Sequence, residues 1–180
     1  MTTTALQVED VALPSEQIMP AIKGEFYAYT SDFSLERPLY FLMDCKANKA
    51  RSITVDVEQL LQELDLTFIF GDEVLLCSPN SGPSIGLLSS VVKGANLRRL
   101  NETEIRLSSV PAERFRRCFD ARSGLMLVDA FQGSGASESA VRVSKGMTLS
   151  IKTASNKYGL ILVKDLTASK CSLEACHILL

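Results

Sequence analysis

The chain has 180 residues, with 19 basic and 21 acidic side chains, a formal net charge of −2, 46% apolar residues and 22% charged residues. That apolar content is too high for an intrinsically disordered chain, and 10 glycines without a triplet period exclude a collagenous one. The sign of the net charge argues against nucleic acid as the partner, because non-specific phosphate binding draws on excess positive charge.

Residues 1–20 contain Pro14 and Pro20 and carry little pattern, so they read as an extended arm or edge strand. The opening residues lack a basic region, an apolar run and a small-residue cleavage site, which is not the make-up of a secretory signal. No stretch approaches the roughly 18 apolar residues of a membrane span. Residues 25–30 (Glu-Phe-Tyr-Ala-Tyr-Thr) form a β-prone aromatic segment between Gly24 and Asp32. It places Tyr27 and Tyr29 on one face and Phe26 and Ala28 on the other. Residues 39–45 follow Pro38 as a buried strand.

Asp56 with Gln59 fits a capping box, and Val57, Leu60, Leu61 and Leu64 recur as one helical face. Leu66–Phe70 and Glu73–Cys77 flank Gly71-Asp72 as a hairpin. Residues 78–86 are the main breaker cluster, and residues 87–92 suit either a strand or a helix. Thr103–Ser109 alternates as a strand. Pro111 opens a second helix in which Phe115 stacks on Phe119, with ion pairs Glu113–Arg117 and Arg116–Asp120.

From Gly124 onward the pattern predicts strands alone: Leu125–Phe131, Ala140–Val143, Met147–Thr153, Tyr158–Asp165 and Cys171–Leu179. Met147, Leu149 and Ile151 are expected inward, with Thr148, Ser150 and Lys152 outward. The run Gly124-Leu-Met-Leu-Val echoes Gly159-Leu-Ile-Leu-Val, and both read as similarly buried strands. Together these elements predict an α+β fold, mostly antiparallel β, as a sandwich or small barrel with two short helices near 56–65 and 111–120. The division falls between an α+β region at 1–122 and a β region at 123–180, unless the two form one continuous domain.

Charge is uneven along the chain. Residues 1–92 carry a net −8, residues 93–122 a net +4 and residues 123–180 a net +2. Seven of the ten arginines lie between Arg98 and Arg122. Arg98, Arg99, Arg114 and Arg117 are the candidate residues for an anion or for the carboxylates of an acidic partner, since a guanidinium forks onto either. The local acids Glu102, Glu104, Glu113 and Asp120 are the competing partners for these arginines.

Gly82-Pro-Ser-Ile-Gly86 matches the G-x-S-x-G nucleophile elbow. With Asp129 or Asp165 and the single histidine, His177, it follows the Ser–Asp–His order of an α/β-hydrolase. The loop before the motif and the all-strand reading of the C-terminal third oppose that assignment. Cys171, Cys176 and His177 are zinc-type residues, but strand alternation points Cys176 and His177 to opposite faces, and Cys171 lies about 20 Å from His177 along a strand. No metal site and no cofactor is therefore expected. Residues 132–138, rich in Gly and Ser, lack the Gly-Lys-Ser/Thr of a phosphate loop and read as a hairpin loop. Five scattered cysteines make a poor disulfide framework and point to the reducing cytoplasm. The functional expectation is a non-enzymatic β-rich module for protein interaction or self-assembly, with a protein partner or further copies of itself. The alternatives are a small serine hydrolase using Ser84 and His177, and an anion-binding domain using the arginines.

Overall fold

Residues 24–40, 61–94 and 96–179 are described by the structure, a computed structural model. The longest strands are those the sequence marks with continuous apolar or aromatic runs: β1 (Glu25–Ser34), β8 (Lys157–Leu166) and β9 (Lys170–Leu179). With β7 (Thr148–Thr153) and β5 (Thr103–Leu107) they form a five-stranded antiparallel sheet in the order β1-β9-β8-β7-β5. β1 lies along the whole of β9, from Glu25 opposite Leu179 to Ser34 opposite Lys170. A second antiparallel sheet has the order β2-β3-β4-β6, built from Leu39–Tyr40, Leu66–Ile69, Leu75–Cys77 and Ala140–Arg142. β1 and β5, from before residue 122, thus share a sheet with strands from after it, and β6 pairs with β4.

Three helices are described from end to end: α1 (Gly82–Val91), α2 (Ala112–Ala121) and α3 (Gly124–Gln132). A 3-10 turn spans Leu97–Arg99. Leu61–Glu63 are helical, in keeping with the amphipathic segment expected there; its cap and first turn lie outside the described residues.

Three apolar clusters order these elements into layers. Phe33, Leu149, Ile151, Ile161 and Leu173 of the larger sheet meet Tyr40, Leu66, Phe68 and Leu76 of the smaller one. On the far face of the larger sheet, Leu160, Leu162, Cys176 and Ile178 meet Phe115 and Cys118 of α2 and Leu127 and Ala130 of α3. On the far face of the smaller sheet, Leu39, Leu61 and Leu64 pack with Leu88 and Val92 around α1. The result is helix, sheet, sheet, helix: an α+β protein dominated by antiparallel strands.

Five expectations need correction, the first being the hairpin loop at 132–138: Gln132 ends α3 and the residues after it lead to β6, so no strand precedes that loop. Residues 125–131 are helix α3, not a strand. Its fully packed positions, Gly124, Leu127, Ala130 and Phe131, recur at helical spacing, and Ser123 caps it by accepting from the Met126 N–H at 3.5 Å. The echo of Gly124-Leu-Met-Leu-Val in Gly159-Leu-Ile-Leu-Val is therefore one helix and one strand. The face of β7 expected outward is covered by α3, so Thr148 and Ser150 are buried. Ser150 Oγ donates to Ser108 Oγ at 3.1 Å and accepts from Ser134 Oγ at 3.1 Å. Finally, Arg116 reaches Glu174 on β9 at 2.8 Å rather than Asp120 on its own helix.

The β8–β9 pairing shifts register between Val163 and Asp165, leaving Lys164 as an extra residue. Leu166 consequently opposes Cys171 and packs into the cluster between the sheets.

The layering sets side-chain costs. Leu149 is fully buried between the sheets, whereas Leu107 is 57% exposed at the end of β5. Leu149→Ala should lower the unfolding free energy by about 2–5 kcal/mol, and Leu107→Ala by at most about 0.5 kcal/mol. Urea unfolding midpoints at constant m-value would check both.

Candidate functional site

Strand alternation on β1 turns Tyr27 and Tyr29 toward the space between the sheets, where β9 presents His177 directly opposite Tyr27. The imidazole stacks on Tyr27 with centroids 5.0 Å apart and meets the edge of Tyr29 at 5.7 Å. The Tyr29 hydroxyl is hydrogen-bonded to that of Tyr40 on β2. Lys157 opens β8, two residues before Gly159, which faces His177 across the ladder. Its Nζ donates to Asp65 Oδ1 at 2.9 Å and to Oδ2 at 3.0 Å, with the two side chains 8% and 1% exposed. Thr103 Oγ1 donates to the Asp65 carbonyl at 2.6 Å. This buried polar cluster joins the two sheets at one end of the sandwich. Neither Asp65 nor Lys157 stands out in the sequence, because they are 92 residues apart and belong to no motif.

His177 is fully buried, and neither ring nitrogen has a hydrogen-bond partner. Burial first, and then the charge of Lys157, lower its pKa from 6.5 to about 3. The ring is therefore neutral at physiological pH and takes a proton only in strong acid.

Ser84 lies in a different layer. It sits in the first turn of α1 on the outer face of the smaller sheet, fully buried. Its hydroxyl is bonded to Thr67 Oγ1 at 2.5 Å and accepts from Ser81 Oγ at 3.0 Å. Ser81 also caps the helix through the Ser84 N–H. Asp129 is exposed on α3, and Asp165 is exposed and paired with Lys145 at 3.1 Å, which holds its carboxyl below the usual range. The serine, the histidine and the two aspartates are not brought together. The serine of Gly82-Pro-Ser-Ile-Gly86 holds a helix start onto β3.

Cys171 belongs to the cluster between the sheets and Cys176 to the one beneath the helices, so β9 turns them to opposite faces. Among the described residues no three ligand-type side chains gather into a metal-sized group. Burial pushes the thiol of Cys77 up to about 11 and those of Cys171 and Cys176 up to about 12, which keeps them protonated and weakly nucleophilic.

The arginines divide into two kinds. Arg106 rests 4.1 Å over the Phe131 ring and reaches Glu104 at 3.1 Å; Arg116 lies 5.0 Å over Phe119 and holds Glu174; Arg142 pairs with Glu73 at 2.8 Å. Arg98, Arg99, Arg114 and Arg117 are exposed. Arg114 and Arg117 ride on α2, outside the larger sheet, while Arg98 and Arg99 occupy the 3-10 turn beside α1, outside the smaller one. The four do not converge; they form two pairs on opposite outer layers.

α1 has a composition unlike the other helices: Gly-Pro-Ser-Ile-Gly-Leu-Leu-Ser-Ser-Val, with no charged residue. Ser84 and Leu88 are buried, and Gly82, Pro83, Ile85, Gly86, Ser89, Ser90 and Val91 are exposed. Ser89 Oγ and Ser90 Oγ donate to the helix's own carbonyls, Ile85 and Leu87, each at 2.7 Å. Its outer face therefore has neither charge nor much free hydrogen-bonding capacity.

No protein-family model matches the chain, and no curated protein does. Among solved structures it is similar to a DUF4466 family protein from Parabacteroides merdae ATCC 43184, with a TM-score of 0.57 and 11% sequence identity. The match covers 87% of this chain and 54% of that one, so the chain spans about half the length of that protein. At this identity the likeness is one of fold. No helix among the described residues is long and apolar enough to cross a membrane.

Two predictions follow from the buried cluster. Asp65→Asn removes the countercharge of a buried ammonium and should destabilise the fold by about 3–5 kcal/mol in urea unfolding. The second concerns pH. In the unfolded chain His177 binds its proton near pH 6.5, whereas in the fold it does so only near pH 3. Between those values the unfolded state holds the extra proton, so stability falls as the pH falls from about 6.5 toward 3. His177→Phe keeps a ring against Tyr27 and removes this titration. Its urea midpoint should therefore drop less than that of the native chain between about pH 7 and pH 4.5; equal drops would refute the assignment.

Proposed function

We propose that this chain is a non-enzymatic protein-interaction module whose contact face is the outer side of α1. The observation that carries the reading is the absence of charge from a helix lying on the outside of the fold. Helices that face water ordinarily carry charged residues on that side. Centres of protein interfaces, by contrast, are depleted of charge. Ile85 and Val91, at 37% and 40% exposure, add aliphatic area on the two flanks of that Gly- and Ser-rich side. The hydroxyls of Ser89 and Ser90, bonded to the helix backbone, leave little to desolvate when a partner covers them. A cytoplasmic setting suits the four described cysteines, which are all free thiols.

In-cell photocrosslinking tests the reading. A benzophenone amino acid placed at Ile85 should give a defined adduct, identified by mass spectrometry as another protein or as a second copy. Val91→Asp in the same chain should abolish that adduct. The same probe at Arg117, on the opposite outer layer, should give none. No adduct at Ile85 above the Arg117 control would end the proposal.

A further inference from the structure

We infer that residues 25–29, the first half of β1, form an acid-sensitive flap, closed over the neutral ring of His177 and released from β9 when that ring takes a proton. The inference is independent of the α1 reading.

The cover over His177 is one-sided within its sheet. In the row of residues that crosses the strands, Tyr27 stands on one side of His177 and Gly159 on the other, with Ile151 of β7 beyond. Gly159 adds no side chain, and a Cβ there would come within 2.9 Å of Ile151. The two rings against the imidazole, Tyr27 and Tyr29, both belong to β1.

The other charged and titratable groups around the ring, among the described residues, come from three directions. β1 adds Glu25, which accepts from the Tyr27 hydroxyl. β8 adds Lys157, held by Asp65 at the start of the smaller sheet. β2 adds Tyr40, bonded to the Tyr29 hydroxyl. Neither nitrogen of His177 has a hydrogen-bond partner. In the closed fold the neutral ring therefore leaves one donor and one acceptor unmet. A proton would leave two buried donors unmet beside an ammonium. Both costs end when the ring reaches water.

Water has one cheap route to the ring. β8 and β9 have a strand on each side and an apolar cluster on each face, and parting the two sheets breaks the whole cluster between them. β1 instead ends the order of the described strands, and none of its residues from 25 to 29 is fully buried. Its other half is pinned. Phe33 is buried, stacks on Phe68 at 4.6 Å and meets Tyr40 edge-on at 4.9 Å. Beyond it, the Leu35 N–H donates to the Ser169 carbonyl at 3.3 Å. Segments with little buried surface open most readily, so β1 yields over 25–29 and holds at Phe33. Release bares Tyr27, Tyr29 and His177, together with the edge of β9 from 175 to 179. An open strand edge is a template for pairing with another strand.

Acid favours the open form. Opened, the ring takes its proton near the ordinary pKa of 6.5; closed, it does so only near 3. The opening equilibrium should therefore rise about 20-fold between pH 7 and pH 5. His177 is the single histidine of the chain, and no other side chain of ordinary pKa changes charge in that window.

Residue-resolved amide hydrogen exchange of the full chain, corrected for the intrinsic exchange rate, tests the inference. At pH 7 the amides of 26–29 that bond to β9 should be about tenfold or more less protected than those of Leu160, Ile161 and Leu162, and insensitive to low urea, the mark of a local opening. At pH 5 their protection should fall about 20-fold. His177→Phe should abolish that fall. Should this variant not fold, the profile of the native chain decides alone. If 26–29 matches Leu160, Ile161 and Leu162 in protection and in its response to urea, the strand opens only with the whole fold, and the inference fails even though stability drops in acid. A local opening with equal protection at pH 7 and pH 5, or a fall that persists in His177→Phe, would overturn it as well.

Discussion

The larger sheet is buried on both faces, and most of the structure follows from that constraint. Strands β8 and β9 must be apolar on each side, because one side meets the smaller sheet and the other meets α2 and α3. Buried polar residues of this sheet survive only with a partner or a special environment. Glu174 has Arg116, Lys157 has Asp65, Ser150 has two serine hydroxyls, and His177 has the flat face of Tyr27 in place of hydrogen bonds.

The same constraint explains what the sequence made legible. Continuous apolar runs located β8 and β9, alternation located β5 and β7, and the two apolar segments around Gly71 located the β3–β4 pairing. Pro111 with Phe115 and Phe119 marked α2. Residues 125–131 were obscure because α3 is wedged against the sheet and is apolar around much of its circumference, which hides the helical period. Ser123 was the available signal: as an N-cap it distinguishes this run from Gly159-Leu-Ile-Leu-Val, where no capping residue precedes and β-branched Ile161 favours the pleat. The depth of β7's polar face could not be read without knowing that a helix covers it.

The candidate sites were legible in a different measure. The sequence isolated Ser84, His177 and the arginines as residues, but their grouping is set by which layer each element joins. Layering separates Ser84 from His177 and divides the arginines into two pairs. It also assembles two features with no signature in the chain: the Asp65–Lys157 link between the sheets, and an uncharged helix on the outside of the smaller one. The serine-rich composition of α1 looked like a loop because Gly, Pro and Ser are punctuation in most contexts. Here Ser81 caps the helix, Pro83 occupies its first turn, where a missing N–H costs nothing, and Ser89 and Ser90 bond inward.

The bulge at Lys164 has a bearing on how this hairpin can vary. Because Val163 and Leu166 both face the smaller sheet while Asp165 faces away, Lys164 is surplus to the alternation. Losing that one lysine would restore a regular ladder with every neighbour still on its present side, whereas dropping a residue elsewhere in the strand would turn it inside out. The β8–β9 hairpin therefore carries a built-in allowance for a change of chain length, and it sits at the rim, away from the histidine and the ion pair that tie the two sheets together.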